Sequence, residues 1–442
     1  MLLNRPSDRG VAVPLDQPWE GPFSFYTTII KDGDTFRAYY RGLPVPGGGK
    51  RGEIEVTCVA ESSHGINWTK PILGLFEVRG TKSNNVVLAD MPPFAHNFSP
   101  MLDTRPEVPA DRRYKALSGP SSGLVAFYSA DGLTWTRWQK KPVIPHRPEE
   151  LGFGKGIFDA QNVPFWSEYE NQYVCYFRIS VNGYRSVART TSKDFLNWTK
   201  PIIMKFDDGP PEHIYVNQTS PYFRAPHIYI GLAARLVQGR TAITPEETEK
   251  IDVHPNYVND CSEGVLITTR GGDDQYSRTF LEGFIRPAIG PENWVSRTNY
   301  PAMNVVQTSE HTLSIYVNQN YGQPTAHLRR YEIRLDGFAS VRAPFSGGEM
   351  ITKPLTFAGN QLELNFATSA AGRIRVEIQN LNGNPIPGFT LDECQDIFGN
   401  KISQKVQWTA GSNVGDLAGI PIRLRFKMND ADLYALQFSE GR

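Results

Sequence analysis

One plan recurs along the first two thirds of the 442-residue chain: an alternating apolar strand, a tight turn, and a Trp three residues past the turn glycine. Val125 to Trp135 shows it most fully, as VAFYSADGLTW. Upstream, Val56 to Trp68 reads VTCVAESSHGINW, with His64-Gly65 at the turn. Downstream, Val187 to Trp198 reads VARTTSKDFLNW, where Asp194 holds the turn and Phe195 replaces the Gly. A weaker copy, Val265 to Phe280, keeps the strand and a Gly-rich turn but ends in Tyr276 and Phe280. The three Trp positions are 67 and 63 residues apart. That interval is too long for a solenoid repeat of one or two helices and suits a four-stranded unit with long connections.

Five such units can be counted. The first holds the FSFYTTII and FRAYYRG strands, joined at Asp32-Gly33 because Gly tolerates the positive φ of a tight hairpin turn. The second runs from Asn97 to Trp135. The third is FDAQNVPFW, YENQYVCYFRI and RSVARTTSKDF, up to Trp198. The fourth starts at HIYVNQTSPYF and carries a polar insertion from Gln238 to Asn259, with TPEETEK as a short helix. The fifth is AMNVVQTSE, TLSIYVNQNY and HLRRYEIRLDGFASV. Radial repetition leaves only short sheet edges exposed, so the reading is all-β, a five-bladed β-propeller over residues 1–346. After Gly347 the rhythm changes, which predicts a small antiparallel β-sandwich over residues 347–442. Gly 39, Pro 33 and 12% aromatics fit many short strands joined by turns.

Charge narrows the partners. Lys+Arg and Asp+Glu are both 46, so nothing calls for nucleic acid or an anionic membrane. No apolar run reaches membrane-spanning length. The N-terminus lacks a secretory apolar region, so the protein is read as cytoplasmic, or as secreted or periplasmic if a signal has been removed. Cys58, Cys175, Cys261 and Cys394 are scattered without metal-ligand spacing and read as buried free thiols. No metal or cofactor is expected; a homo-oligomer stays open.

A propeller converges the first strand of every blade on its axis, so polar residues at the unit starts mark the site. These are Glu20 and Tyr26, then His96, Asn97 and Asp103, then Asp159, Gln161 and Asn162. The fourth unit offers Glu212, His213, Tyr215 and Asn217, and the fifth Arg297, Asn299 and Asn304. Each acid also has a plain structural reading: Asp159 as a solvated loop residue, Asp103 as a turn cap, Glu212 as part of an acidic surface, Glu20 as one Glu in an aromatic loop. Asp103, Asp159 and Glu212 lie 56 and 53 residues apart, close to one repeat. They are expected to converge on one axial pocket. Carboxylates from separate blades facing one pocket suit glycoside hydrolysis, in which one acid protonates the leaving oxygen and a carboxylate activates water or attacks the sugar.

The S-x-D-G-x-x-W turn (Ser129, Asp131, Gly132, Trp135) is similar to the Asp-box of sialidases and other propellers, a structural motif. The segment FDAQNVPFWSEYENQYVCYFR resembles the R-D-P strand region of invertase-like and arabinanase-like five-bladed glycosidases, families 32 and 43. That resemblance implies a glycosidase with an accessory C-terminal sandwich, with Asp159 holding substrate hydroxyls or tuning the acid. The segment EHIYVNQTSPYF looks like the later Glu-containing region and makes Glu212 the acid/base candidate. No W-M-N-D-P-N-G box occurs, and Phe158 and Ala160 stand where those families have Arg and Pro. The nucleophile or base is then sought at Asp103 or Glu20.

Three functions compete. The first is a glycosidase acting, in exo fashion, on a plant, algal or microbial oligosaccharide. The second is a non-catalytic carbohydrate-binding propeller. The third is a propeller lyase on an acidic polysaccharide, with Tyr or His as base; it would favour a basic pocket, a reading for which Arg297, Arg235 and Arg240 are available.

Overall fold

The computed structural model describes residues 1–45, 54–147, 149, 156–207 and 209–441. It is a five-bladed β-propeller followed by an antiparallel β-sandwich. The first three blades each have four antiparallel strands in chain order from the axis outward, and in the second a short fifth strand, Ile144–Pro145, also pairs with the third strand. The sets of four are Phe25–Asp32, Thr35–Gly42, Val56–Ser62 and Val86–Leu88; Ser99–Leu102, Tyr114–Ser118, Gly123–Ser129 and Thr136–Arg137; and Val163–Ser167, Gln172–Val181, Tyr184–Ser192 and Ile202–Ile203. In the fourth, the inner strand is split into His213–Val216 and Thr219–Tyr222, both against the long strand Ala225–Val237, with Cys261–Arg270 outside. The split falls at Gln218, whose φ of 50° turns the backbone out of the extended region.

The fifth blade is closed by the start of the chain. Strand Ser7–Pro14 pairs with His327–Arg334 from Ser7↔Glu332 to Pro14↔His327, as its outermost strand. Read from the sequence, that segment is only an N-terminal extension. Its partner lies more than three hundred residues away, so no local pattern announces the pairing. The effect is to tie the first and last blades together, leaving the ring without a free seam.

The repeated turn does the same work in three blades. Ser62, Ser129 and Ser192 each accept, on Oγ, the backbone N–H of the third residue on (Gly65, Gly132 and Phe195), all at 2.9 Å. The Asp131 carboxylate accepts from the Leu133 and Thr134 N–H groups, and Asp194 from Leu196 and Asn197; in the first blade, His64 Nδ1 substitutes by accepting from Ile66. The indoles of Trp135 and Trp198 donate back to the carbonyls of Gly132 and Phe195. The three tryptophans thus occupy equivalent outer turns and pack as core, with Trp135 edge-on to Phe98 at 4.9 Å and Trp68 edge-on to Tyr316 at 5.4 Å. The residue at the turn has φ of 71°, 76° and 70° in the three copies. A Cβ on Gly132 would meet Tyr39 Oη at 2.6 Å and Arg37 Nη1 at 2.8 Å. Gly132→Ala is therefore expected to cost about 1–3 kcal/mol, the range for a side chain held in the left-handed region, read by urea unfolding.

Contacts divide the chain into two compact units. One is Pro6–Thr308 with Ser314–Glu332; the other joins Ile333–Arg442 to Met1–Arg5 and Ser309–Leu313. The second unit thus begins earlier than the 346/347 division read from the sequence, because Ala339–Ala343 belongs to its six-stranded sheet, between Leu2–Leu3 and Arg423–Ser439. That sheet is built on two long paired strands, Gln361–Gln379 and Arg423–Ser439, whose register shifts between Thr368 and Arg373. Its core includes Phe366, Val376, Trp408, Leu424 and Phe426, all essentially solvent-free. The four cysteines are free and buried.

Candidate active site

Each blade contributes one inner strand to the axis. The N-terminal ends of these strands bring Tyr26, His96, Asp159, Tyr215 and Arg297 together. Their C-terminal ends line a separate cavity of about 550 Å³ with Met101, Phe165, Trp166, Tyr222 and Met303 on its walls. Between the two ends the axis is plugged by amides: Gln218 Nε2 donates to Gln161 Oε1 and to the Pro301 carbonyl, and Gln161 Nε2 donates to Thr28 Oγ1. The cavity beyond the plug is largely apolar, with Lys31 and Glu168 also on its lining.

There, a closed ring of contacts passes through every blade. Asp159 Oδ2 lies 3.0 Å from Arg178 Nη2, and the Arg178 guanidinium lies 4.9 Å from the Tyr215 ring centroid. Arg297 stands 5.7 Å from the Tyr215 ring and 5.6 Å from that of Tyr321, whose hydroxyl accepts from Arg41 Nη2 at 3.3 Å. Arg41 Nη1 approaches His96 Nδ1 at 3.2 Å, and His96 Nε2 returns to Asp159 Oδ1 at 3.4 Å. Tyr26 sits inside the ring, edge-on to His96 at 5.9 Å and beneath the Arg41 guanidinium at 5.0 Å. Its backbone is left-handed, with φ of 56°, as is that of Arg297, with φ of 61°. Two bulky residues thus hold a sparsely populated backbone conformation within one ring.

Protons follow from the donors. Glu55 Oε1 lies 2.8 Å from His96 Nδ1, closer than the Arg41 nitrogen. A guanidinium only donates, so Nδ1 cannot bond to both; assigned to the shorter contact, the Nδ1 proton goes to Glu55. Nε2 then faces Asp159, and that contact is attractive only when one proton lies between imidazole and carboxylate. A cleft of about 60 Å³ opens here, lined by Glu55, His96, Asn97, Ser121 and Asp159. The Asp159 side chain is 33% exposed, against 4% for Glu55.

The tyrosines are pulled in opposite directions. Burial pushes the Tyr26 phenol well above its ordinary value, helped by Tyr215 and Asp159. Burial also acts to raise Tyr215, yet Arg297 and then Arg178 outweigh it and bring that phenol below its ordinary value. The site end is thus strongly cationic around Tyr215 and carries its carboxylates around His96.

Other sequence candidates fall elsewhere. Asn97 lines the cleft while donating to the Gly119 and Phe158 carbonyls, and Asn162 donates to the Phe158 and Ala160 carbonyls. Gln161 is the plug, and Asn217 accepts from the Thr219 N–H. Asn299 donates to the Ser262 and Asn293 carbonyls, and Asn304 to that of Ile29. His213 lies on the rim, its ring 4.9 Å from Tyr184.

The expected convergence of three acids is not what the fold builds. Asp103 follows its inner strand instead of preceding it, and at the far end it binds Lys115 and the Tyr173 hydroxyl. Tyr173 and the Asp159 partner Arg178 are five residues apart on one strand, roughly 17 Å. Glu212 precedes its strand, but both oxygens are taken by guanidinium groups, Oε1 by Arg235 and Oε2 by Arg278 at 2.7 Å. Glu20 is solvent-free, accepting from Tyr40 Oη at 2.6 Å and pairing with Lys70 at 2.6 Å. The sequence reading had not singled out Glu55, Arg41, Arg178, Tyr257 or Tyr321. A signal existed for two of them: Arg41 in FRAYYRG and Arg178 in YVCYFRI each stand next to last in a strand rich in aromatic residues, and a buried charge needs a partner.

Neither a family model nor a curated protein matches the chain. Among solved structures, a protein described as a glycoside hydrolase aligns over 77% of this chain and 95% of its own, with 12% identity and a TM-score of 0.50. That protein and this chain share a fold. A family 32 β-fructofuranosidase of Bombyx mori covers 100% of this chain and 96% of its own at 12% identity and a TM-score of 0.46. A fructofuranosidase of Schwanniomyces occidentalis covers 99% and 98% at 11% and 0.43.

Proposed function

We propose that the chain is a glycoside hydrolase working at the axial end that holds Asp159. The observation that carries this reading is Asp159 itself: the most exposed acid of the ring, held by Arg178 on one oxygen and set against His96 on the other, within a fold that glycoside hydrolases use. Asp159 and His96 share a proton that can be given to the leaving glycosidic oxygen, and Glu55 fixes the ring orientation through Nδ1. With the axis plugged below by Gln161 and Gln218, a chain end can enter from one side only, which favours exo action. The substrate is a plant, algal or microbial oligosaccharide.

A second reading is favoured by Tyr215. A buried phenol held below its ordinary value by two arginines is a base for β-elimination, in which it takes the proton beside a uronate carboxylate, the neighbouring C–O bond breaks and a double bond forms. One experiment separates the two. Oligosaccharides and aryl glycosides are incubated with the protein, and reducing ends are counted alongside ultraviolet absorbance. Hydrolysis gives new reducing ends without an unsaturated product; elimination gives both in equal amounts; neither signal over the whole panel overturns both and leaves a binding module.

A further inference from the structure

Three guanidinium groups crowd one buried phenol. Those of Arg178, Arg185 and Arg297 lie 4.9, 5.1 and 5.7 Å from the Tyr215 ring centroid. Arg178 has Asp159 as its counter-ion. Among the described residues, Arg185 and Arg297 have no carboxylate partner. Arg297 is enclosed by phenol rings instead, with Tyr257 at 4.8 Å and Tyr321 at 5.6 Å. Aromatic faces attract a cation but do not neutralise it. Desolvated charge without a counter-charge is costly, and here it is kept on a residue whose backbone is itself strained.

We propose that this corner of the ring receives the negatively charged substituent, carboxylate or sulfate, of an acidic sugar. The inference rests on the reading of the ring as a glycan site. Guanidinium forks match the paired oxygens of either group and hold them at fixed orientation. The approach is open from the rim, where Arg185 is partly exposed beside Tyr184, itself 38% exposed. His213 lies beside it, its imidazole held below its ordinary value by burial and then by Arg185, with Asp260 working the other way. The lowered Tyr215 phenol reports the same positive field. Arg178 touches Asp159 on one side and Tyr215 on the other, so the charged substituent and the acid are one side chain apart. A sugar anchored by its charge would be presented with its glycosidic oxygen towards Asp159.

The test is titration calorimetry on the full chain with three probes of matched length: galacturonate and glucuronate oligosaccharides, the same oligosaccharides with their carboxyl groups reduced, and sulfated neutral oligosaccharides. Binding of a charged form about ten- to a hundredfold tighter than the reduced form is expected, the range for one or two charge-assisted hydrogen bonds. Which charged probe wins identifies the group. Arg297→Gln should bring the charged-to-reduced ratio close to one, and Arg297→Lys should restore part of it, with thermal unfolding run in parallel. If Arg297→Gln fails to fold, Arg185→Gln on the rim gives the same reading. Equal or better binding of the reduced form, binding of none of the probes, or an unchanged ratio in the variants overturns the inference. Cleavage of neutral glycans without charge preference defeats the inference alone. A charge preference without cleavage of any glycan defeats the enzymatic reading alone.

Discussion

Asp159→Asn is expected to lower turnover of a cleaved glycan by about a hundredfold or more, the usual loss when a general acid is removed. The substitution keeps the shape of the side chain and removes the group that can hold the proton between Oδ1 and His96 Nε2. Arg178 keeps an acceptor in the amide oxygen and its bond from Nε to the Gly156 carbonyl. With the Asp159 side chain one-third exposed, the charge lost is partly screened by solvent, so thermal unfolding should shift little. The measurement is kcat and KM on the best substrate of the panel beside a melting curve. A variant that folds and keeps wild-type turnover would move the proton chemistry to Tyr215. His96→Asn should follow the same pattern, with a weaker effect if the imidazole only positions Asp159.

Much of the propeller was legible because its turns are made of local bonds. A serine hydroxyl reaching a backbone N–H three residues on needs only the right spacing, and Ser62, Ser129 and Ser192 all have it. Phe195 in place of the glycine did not hide the third copy, since Asp194 and Trp198 still close their bonds. Closure of the fifth blade by Ser7–Pro14 was hidden for the opposite reason: its information lies in a distant strand. The site was half legible. Looking at the starts of inner strands found Asp159, His96, Tyr26, Tyr215 and Arg297, because the strands do converge there. It missed Arg41 and Arg178, which reach the ring from the second strands of their blades, and it treated repeat spacing as sufficient for Asp103. Four residues of strand separate the two ends of that blade's inner edge, about 13 Å, and the spacing argument does not resolve which end an acid occupies. Glu20 and Glu212 show a second limit. An acid with the right position is still unavailable when neighbouring arginine or lysine side chains claim its oxygens.

The acid at the far end should therefore behave as a structural group. Asp103→Asn is expected to destabilise the protein by about 3–5 kcal/mol, the range for leaving one member of a buried ion pair without its partner. Lys115 is solvent-free, and its ammonium donates to Asp103 Oδ2 and, at 2.7 Å, to the Arg112 carbonyl. Burial holds that ammonium below its ordinary value, and the Asp103 carboxylate works against this. The same carboxylate accepts the Tyr173 hydroxyl at 2.6 Å and the Arg105 backbone N–H at 3.2 Å, so it joins the second blade to the third. Asparagine keeps one acceptor and the approximate shape but removes the charge, leaving an uncompensated ammonium between blades. Arg105, which lies 3.3 Å from Asp103 and is 28% exposed, can turn to solvent; Lys115 cannot. Urea unfolding measures the loss. The double variant Asp103→Leu, Lys115→Met should recover most of it, because two apolar groups in that space carry no charge to solvate. A single variant that loses under about 1 kcal/mol yet abolishes turnover would instead place Asp103 in the chemistry and reverse the assignment made here.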